Sequence, residues 1–228
     1  MTNSGPSVKK LAKYIDHTLL KPEATKAQIR KLCEEAFHHH FYGVCVNSAM
    51  LSTCNEVLKS TTIKIVSVVG FPLGACETSV KVFETNRAFA LGAHEVDMVL
   101  NIGALKAGDF QFVEKEIASV VHASAGSVVK VILETSLLTN DEKVKACELA
   151  LQAGAQFVKT SSGFGGGGAT VEDIQLMKKI VGAKASVKAS GGIKNYDSAV
   201  ALIQAGASRL GTSAGVLIVT GQDAKSGY

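Results

Sequence analysis

The chain has 228 residues, of which 46% are hydrophobic, so it is long enough for one large domain or two small ones. Its net charge of +4 comes from scattered lysines and arginines with no basic run interleaved with aromatic residues, so nucleic-acid binding is not indicated. Residues 1–10 contain no apolar signal core and no stretch is long enough to span a membrane, so we expect a cytoplasmic protein.

Short apolar or β-branched runs alternate with longer amphipathic stretches from one end of the chain to the other. Eight runs typical of buried strands lie at 14–19, 42–47, 64–69, 95–100, 128–133, 156–159, 186–189 and 208–212. The amphipathic stretches between them predict helices at 24–38, 78–91, 110–123, 141–153, 171–181 and 197–205. This alternation predicts a parallel sheet whose strands are joined by helical crossovers.

Eight such units in this length fit a closed (β/α)8 TIM barrel, and we expect an α/β fold with a single domain over residues 1–228. Three junctions support one repeating fold, because Gly92, Gly154 and Gly206 each follow a helical stretch and precede a strand. Glycine adopts the left-handed conformation that ends a helix. A doubly wound open sheet is the alternative, because periodicity alone does not show that a sheet closes.

Cysteine and histidine spacing argues against a disulfide framework or a metal site. The cysteines form no CxxC pair and are odd in number, which is typical of a reducing compartment. They are Cys33, Cys45, Cys54, Cys76 and Cys147. His38, His39 and His40 are adjacent at a predicted helix end, so they point in different directions and we interpret them as a polar connection.

Polar side chains stand where several predicted strands end and their loops begin. In a barrel, the loops at the carboxyl ends of the strands form the active site. Besides two lysines, the polar residues at these ends are Asp16, His17, Asn47, Asp97, Asn101, Glu134, Thr212 and Ser213. Ionisable groups of both signs are costly to gather in a partly dry place unless they do chemistry, so this end of the barrel is the predicted site.

The two lysines, Lys159 and Lys188, stand in nearly identical contexts, since each closes a hydrophobic run and opens a loop rich in glycine and serine. Burial and a like-charged neighbour both lower the pKa of an ammonium group, and a neutral amine attacks carbonyl carbons. If the sixth and seventh runs are neighbouring strands, one amine is freed for Schiff-base chemistry. The alternative is a pair of structural salt bridges to Asp16, Asp97 or Glu134.

Asp97, in the fourth run, is the candidate for proton transfer. Imine formation and carbon–carbon cleavage move protons to a carbinolamine oxygen and an enamine carbon, and a nearby carboxylate can relay them. The alternative is a counter-ion that only neutralises a lysine. Asp16 is a second carboxylate, with either a direct role toward the substrate or a role in orienting a lysine or capping a loop. Cys45 could line the pocket, but we prefer a buried structural thiol.

Three glycine-rich segments, at 163–168, 190–192 and 211–215, follow the last three predicted strands. Glycine lets backbone N–H groups close on an anion, and the loops after strands seven and eight are the usual phosphate site of a TIM barrel. These segments therefore predict a phosphate site. Neither a P-loop nor a dinucleotide fingerprint is present, and imine chemistry needs neither a cofactor nor a metal, so we expect none.

These residues together resemble the deoxyribose-phosphate aldolases, a family of class I (Schiff-base) aldolases with a TIM barrel. The shared motifs cover nearly the whole chain in order: DHTLLKP from Asp16, GFPLG from Gly70, EVDMV from Glu95, VKTS from Val158, VKASGG from Val187 and GTS from Gly211. The resemblance implies reversible, cofactor-free cleavage of 2-deoxy-D-ribose 5-phosphate to acetaldehyde and D-glyceraldehyde 3-phosphate, for deoxynucleoside breakdown in the cytoplasm. We expect a sugar-phosphate substrate as the partner and a homo-oligomer, either dimer or tetramer.

By the same resemblance, Lys159 is similar to the family's imine-forming lysine and Asp97 to its proton-relay aspartate. Lys188 is similar to a second lysine that favours the neutral form of the first and takes part in proton transfer. The residues that fall where the family binds substrate and phosphate are Asp16, Ser162, Gly191, Gly192, Gly211 and Ser213.

The chain departs from the family pattern at three positions near the predicted phosphate site. Ser162 keeps a hydroxyl where threonine is common, Phe164 stands where some members have lysine, and Ala214 replaces a frequent serine, leaving its backbone N–H. Two rival functions are a transaldolase-like Schiff-base barrel acting on a different sugar phosphate, and an inactive barrel kept for binding. Acetaldehyde release tests the first, and the intact set of Lys159, Lys188 and Asp97 argues against the second.

Overall fold

The computed structural model describes residues 8–221, which contain eight strands, ten α-helices and two short 3-10 helices (Ser48–Met50 and Thr135–Leu137). The strands are β1 (Ile15–Leu19), β2 (Gly43–Val46), β3 (Lys64–Val69), β4 (Glu95–Val99), β5 (Val128–Ile132), β6 (Phe157–Lys159), β7 (Ser186–Ser190) and β8 (Arg209–Thr212). The helices are α1 (Val8–Ala12), α2 (Lys26–His38), α3 (Leu51–Leu58), α4 (Thr78–Ala90), α5 (Ile102–Lys106), α6 (Phe110–Ala123), α7 (Asn140–Gln152), α8 (Val171–Val181), α9 (Tyr196–Gln204) and α10 (Gly215–Thr220).

All eight strands run parallel and close into a barrel in the order β1 to β8, with β8 paired to β1. The predicted TIM barrel is confirmed, and the open-sheet alternative is wrong. Each strand agrees with its predicted run to within one residue, because strands buried on both faces show a continuous apolar signal. The single-domain extent 1–228 stays a prediction, since both ends lie outside the described residues.

The six predicted helices are confirmed as α2, α4, α6, α7, α8 and α9. Local capping helps to set their starts: Thr25 and Thr139 each accept a hydrogen bond from the N–H three residues on, while Gln28 and Glu142 reach back to the cap. The amphipathic pattern gave no bounds for the other four helices, α1, α3, α5 and α10. These helices have five to eight residues, which is too short to display a helical period.

The glycine junctions between helix and strand have the predicted geometry. Gly92, Gly154 and Gly206 have φ of 95°, 82° and 121°, in the region that side chains with a Cβ rarely adopt. A Cβ at Gly92 would also lie 2.9 Å from the side chain of Asn55. These turns let each helix return directly into the next strand, which keeps the carboxyl ends of the strands free for longer loops.

The barrel interior differs from the aliphatic core that most TIM barrels have. A large apolar cluster fills the layer between the strands and the surrounding helices. Inside the barrel, a small apolar group consists of Leu20, Cys45, Val66 and Val68. Seven buried ionisable side chains also lie there: Asp16, Glu95, Asp97, Lys130, Lys159, Lys188 and Arg209. This concentration of buried charge indicates that the functional site lies at the barrel interior.

No helix within residues 8–221 combines the length and apolar character needed to cross a lipid bilayer. In the same range, no group of three or more His, Cys, Asp and Glu side chains is arranged to hold a metal ion. His38 is the last residue of α2 and His39 is its C-cap, with their rings 4.9 Å apart at a steep angle. The histidine run is therefore the polar helix-to-strand connection that was predicted.

Candidate active site

A cavity of about 380 Å³ opens where the loops after β1, β6, β7 and β8 meet. Its polar, charged and glycine lining residues are Thr18, Lys21, Lys159, Ser162, Gly163, Ser190, Gly191, Gly192, Lys194, Gly211, Thr212 and Ser213. Its apolar lining residues are Leu19, Leu20, Phe164, Ile193 and Ala214. This volume lies within the range of roughly 300–1,000 Å³ that is typical of small-molecule sites.

The two predicted lysines lie side by side at the floor of the cavity. β6 and β7 pair in a register that places Lys159 opposite Lys188. Both ammonium nitrogens lie 2.8 Å from the same oxygen, Oδ2 of Asp97. Lys159 borders the cavity, whereas Lys188 is fully buried. Three strands thus bring the three predicted residues together and present one amine to a ligand.

Asp97 remains ionised although its side chain is fully buried. Burial opposes its charge, but the ammonium groups of Lys130, Lys159 and Lys188 outweigh burial and hold the pKa of Asp97 well below its ordinary value. Lys130 donates to Oδ1 at 2.7 Å, so each carboxylate oxygen has its own donors. A carboxylate that shares one oxygen between two lysines can pass protons between them or to a bound atom.

Lys188 keeps its positive charge. Burial opposes the ammonium form, but Asp16 and Asp97 outweigh burial and raise the pKa of Lys188 above its ordinary value. Repulsion between the lysines was expected to free one amine, and Lys188, held by two carboxylates, is not that amine. Lys159 has one carboxylate partner, which it shares, and it faces the cavity, so it is the amine placed to attack a carbonyl.

Asp16 lies inside the barrel with no exposed surface, and it is not among the residues that line the cavity. Its carboxylate accepts hydrogen bonds from Lys188 at 2.5 Å and from Arg209 at 3.0 Å. Burial alone would raise the pKa of Asp16, but Lys188, Arg209 and Lys130 outweigh it and lower that pKa. This contact fits the alternative role, in which Asp16 orients Lys188. A direct role of Asp16 toward the substrate stays a prediction.

The sequence analysis missed three other charges of the interior, Glu95, Lys130 and Arg209. Lys130 donates to Asp97 and lies 2.6 Å from Glu95, and Arg209 lies 3.2 Å from Glu95. The Tyr42 hydroxyl donates to Glu95 at 2.8 Å. A signal was available for Glu95, which stands two residues before Asp97 on β4 and so points to the same side of the strand.

Ser162 lines the cavity, but both its polar groups are engaged by Glu134. The Glu134 carboxylate accepts from the Ser162 N–H at 3.2 Å and from the Ser162 hydroxyl, which in turn accepts from the N–H of Phe164 at 3.0 Å. A Cβ at Gly165 would lie 2.5 Å from the carboxyl carbon of Glu134, so this turn requires glycine. Ser162 therefore holds the loop after β6 in place at the cavity wall.

The predicted phosphate residues meet in one wall of the cavity: Gly191, Gly192, Gly211 and Ser213. Gly191 and Gly192 have φ of 85° and 75°, which favours glycine at both positions. A Cβ on Gly191 would lie 2.9 Å from Cα of Gly168, and the Ala169 N–H donates to the Gly191 carbonyl at 3.1 Å. The loops after β6 and β7 therefore brace each other at this wall of the cavity.

Two exposed lysines at the rim, Lys21 and Lys194, are part of the cavity lining and were not predicted as site residues. Lys21 comes two residues after β1, and Lys194 comes two residues after Gly192. Together with Lys159 below, they give the cavity a positive character that favours an anionic ligand. The available signal was position, because Lys21 belongs to the DHTLLKP motif and Lys194 follows a predicted phosphate loop.

Residues 10–220 match the model of the DeoC/LacD family aldolase. The chain belongs to the DeoC/LacD family of aldolases. The deoxyribose-phosphate aldolase of Bdellovibrio bacteriovorus is 57% identical over 218 residues, which cover 96% of this chain and 99% of the relative. These matches confirm the resemblance drawn from the motifs.

Solved structures agree with this membership. A Coccidioides immitis protein assigned as a deoxyribose-phosphate aldolase superposes with a TM-score of 0.94 at 42% identity, covering 96% of this chain and 87% of the other. The deoxyribose phosphate aldolase of Aeropyrum pernix, described as a unique tetrameric structure, has a TM-score of 0.88 at 32% identity, with 94% and 91% covered.

Two departures of this DeoC/LacD aldolase from the family pattern can now be located. Phe164 is 50% exposed at the cavity wall and packs edge-on against Phe71, with ring centroids 5.4 Å apart. The N–H of Ala214 donates to the Thr212 hydroxyl at 2.9 Å, so it already has a hydrogen-bond partner within its own loop. The Thr212 hydroxyl donates to the Ile193 carbonyl at 2.7 Å and so ties together the loops after β7 and β8.

Cys45 of the aldolase is a structural thiol. It is fully buried in the small apolar group inside the barrel and is not among the cavity-lining residues. Burial raises the pKa of Cys45, which keeps it protonated and unreactive. The preferred interpretation of this residue is confirmed.

Proposed function

We propose that this protein is a deoxyribose-phosphate aldolase that reversibly cleaves 2-deoxy-D-ribose 5-phosphate to acetaldehyde and D-glyceraldehyde 3-phosphate. The observation that carries the proposal is the Lys159 amine, which borders an electropositive cavity and shares one Asp97 oxygen with the charged Lys188. Relatives with this name, at 57% identity over nearly the full chain, support the same substrate.

In the proposed reaction, the neutral amine of Lys159 attacks the C1 aldehyde of the open-chain sugar. The carbinolamine oxygen takes a proton and leaves as water, which forms the imine. Asp97 and Lys188 are in hydrogen-bond contact at 2.8 Å and are the proposed source of that proton. The positively charged imine then withdraws electrons from the C2–C3 bond of the sugar.

Cleavage proceeds as the C3 hydroxyl loses its proton to a base and the C2–C3 bond breaks. D-Glyceraldehyde 3-phosphate departs, and the electron pair of the broken bond remains on the two-carbon fragment as an enamine. Protonation of the enamine carbon and addition of water release acetaldehyde and restore Lys159. Asp97, ionised between the lysines, is the proposed relay for these transfers.

The substrate phosphate is proposed to lie against the loops after β7 and β8. Backbone N–H groups of Gly191, Gly192, Gly211 and Ser213 are the proposed donors. Lys21 and Lys194 add positive charge at the rim, and Ser162 shapes the opposite wall by holding its loop. In this proposal the phosphate lies at the far end of the sugar from the C1 carbon that Lys159 attacks.

We further propose a cytoplasmic homo-oligomer, dimer or tetramer, that serves deoxyribonucleotide catabolism. Free cysteines fit a reducing compartment. Large apolar side chains stand exposed on α4 and the loop before it, with Leu73 at 74%, Val80 at 49% and Phe83 at 67%, and such a patch favours association. Light scattering measures the mass in solution, and a monomer at working concentrations would contradict this part of the proposal.

The imine is tested by trapping. Borohydride reduction in the presence of acetaldehyde should attach a two-carbon adduct to Lys159, located by peptide mass mapping. Lys159→Ala should fold, as circular dichroism reports, and should take up no label. A label on Lys188 with Lys159 unmodified would reverse the assigned roles.

Product analysis separates the proposal from its rivals. Release of acetaldehyde from 2-deoxy-D-ribose 5-phosphate identifies the proposed reaction. Trapping without acetaldehyde release would favour a transaldolase-like enzyme acting on another sugar phosphate. If neither occurs in the folded protein, the inactive binding barrel is the better interpretation.

A further inference from the structure

Six buried charges beneath Lys159 form a closed ring of alternating sign, here termed the charge ring. Its members, in order around the ring, are Asp16, Lys188, Asp97, Lys130, Glu95 and Arg209. The successive contacts measure 2.5 Å, 2.8 Å, 2.7 Å, 2.6 Å and 3.2 Å, and Arg209 returns to Asp16 at 3.0 Å. The residues come from β1, β7, β4, β5 and β8, so only a closed barrel brings them together.

Every charge in the ring is paired with charges of opposite sign. Among the ring members, each cation touches two carboxylates and each carboxylate touches two cations. All partners of Glu95 are donors, including the Tyr42 hydroxyl, which is the pattern of an ionised carboxylate. Three positive and three negative groups leave the ring with no net charge.

Lys159 is the one interior cation that stands outside the ring. Among the described residues, its only ion pair is with Asp97 Oδ2, an oxygen that Lys188 already occupies. If Lys159 is charged, the interior carries one surplus positive charge, and if Lys159 is neutral, the interior is balanced. Because unbalanced charge in a dry interior is costly, the balance of the ring should favour the free amine.

We propose that Glu95 and Arg209 are positioning residues that set, through the charge ring, the pH dependence of imine formation on Lys159. Neither residue lines the cavity, so neither is placed to touch a substrate. Glu95 holds Lys130 against Asp97, and Arg209 holds Asp16 against Lys188. The proposal rests on the proposed Schiff-base role of Lys159.

Other groups around Lys159 supply little competing charge. On β2, Cys45 is protonated because burial raises the pKa of its thiol, and β3 contributes the apolar Val66 and Val68. Glu134, at the end of β5, is bound to Ser162 in the cavity wall. The rim lysines are exposed, so solvent screens them. The charge ring is thus the main buried electrostatic neighbour of the amine.

Two single variants with opposite charge changes test the proposal. Glu95→Gln leaves the ring positive, so the pH midpoint for trapping acetaldehyde on Lys159 with cyanoborohydride should fall. Arg209→Met leaves the ring negative, so the midpoint should rise. Each shift should be about one pH unit, the scale of one charge a few ångströms beyond direct contact at an effective dielectric constant of about 20. Trapping with acetaldehyde uses neither the phosphate nor the cleavage step.

A double variant and an uncharged control complete the design. Glu95→Gln with Arg209→Met restores neutrality, so its midpoint should return to that of the wild type. Tyr42→Phe removes a hydrogen bond to Glu95 without changing charge and should leave the midpoint in place. If one single variant does not fold, the other single variant still shows whether the pH midpoint shifts. The double variant still shows whether that midpoint returns to the wild-type value.

Shifts in the same direction, or unmoved midpoints with only reduced rates, would overturn the proposal and assign the two residues a purely structural role. Failure of the proposed function gives a different result, because wild-type Lys159 would then take up no label at any pH.

Discussion

Removing the charge of Lys188 should move imine formation on Lys159 to higher pH. The two ammonium nitrogens each lie 2.8 Å from Asp97 Oδ2, so they are separated by no more than twice that distance. Two unit charges about 5 Å apart at an effective dielectric constant of about 20 repel by about 3 kcal/mol, which corresponds to roughly two pH units. Lys188→Met should therefore slow trapping at neutral pH by about 100-fold.

The assay is the rate of acetaldehyde trapping by cyanoborohydride, followed by intact-protein mass spectrometry from neutral to alkaline pH. The trapping rate of Lys188→Met should recover at alkaline pH, where amines lose their protons even without a neighbouring positive charge. Lys188→Arg is the matched control, because it keeps a positive charge and should keep the wild-type midpoint. A profile for Lys188→Met that overlies the wild-type profile would refute the electrostatic reasoning. A rate that stays low at every pH would assign Lys188 to proton transfer alone.

Two further predictions concern the buried carboxylate and the rim. Asp97→Asn should lower the free energy of unfolding by about 3–5 kcal/mol, because the buried ammonium groups of Lys130 and Lys188 lose a shared anion. The pKa of Asp97 is depressed in the folded protein, so its ionised form stabilises the fold at pH values above the pKa of an unfolded aspartate, about 4. This stabilisation is lost as the pH falls further. The urea midpoint of unfolding should therefore fall less on acidification in the variant than in the wild type. Lys21→Met and Lys194→Met should each raise the KM for 2-deoxy-D-ribose 5-phosphate several-fold and leave the KM for unphosphorylated deoxyribose unchanged. Equal effects on both sugars in steady-state kinetics would contradict a phosphate role for the rim lysines.

Element length decided how much of the fold could be predicted. A strand such as β3 is a continuous apolar run, and a helix of 13 residues such as α4 has room for several turns of amphipathic pattern. α5 has only five residues, so no period can be seen. It depends on the Asn101 side chain, which accepts a hydrogen bond from the Ala104 N–H at 3.0 Å, and on contact with α6. Such dependence on tertiary contacts is not visible in a local pattern.

The residues of the candidate site that stand at strand ends could be predicted from the sequence. The contacts that form only when the barrel closes could not. Lys159 and Lys188 stood out because each precedes a glycine-rich loop. The contact between Lys188 and Asp16 joins residues 172 positions apart and exists because β8 pairs with β1. Before closure is known, Arg209 is an ordinary charge at the start of a short strand. The charge ring therefore follows from the fold and could not be predicted from local sequence.

At the proposed phosphate end of the cavity, the geometry would divide recognition of the anion between backbone and side chains. Phe164 places an aromatic ring, packed against Phe71, on the loop where a charged side chain could have reached a phosphate. The remaining side-chain charge comes from Lys21, with 72% of its side chain exposed, and the exposed Lys194. Flexible exposed cations attract an anion over a distance but are screened by salt and do not fix its orientation. Orientation must then come from the glycine loops, whose left-handed residues and mutual hydrogen bond hold the backbone in one shape.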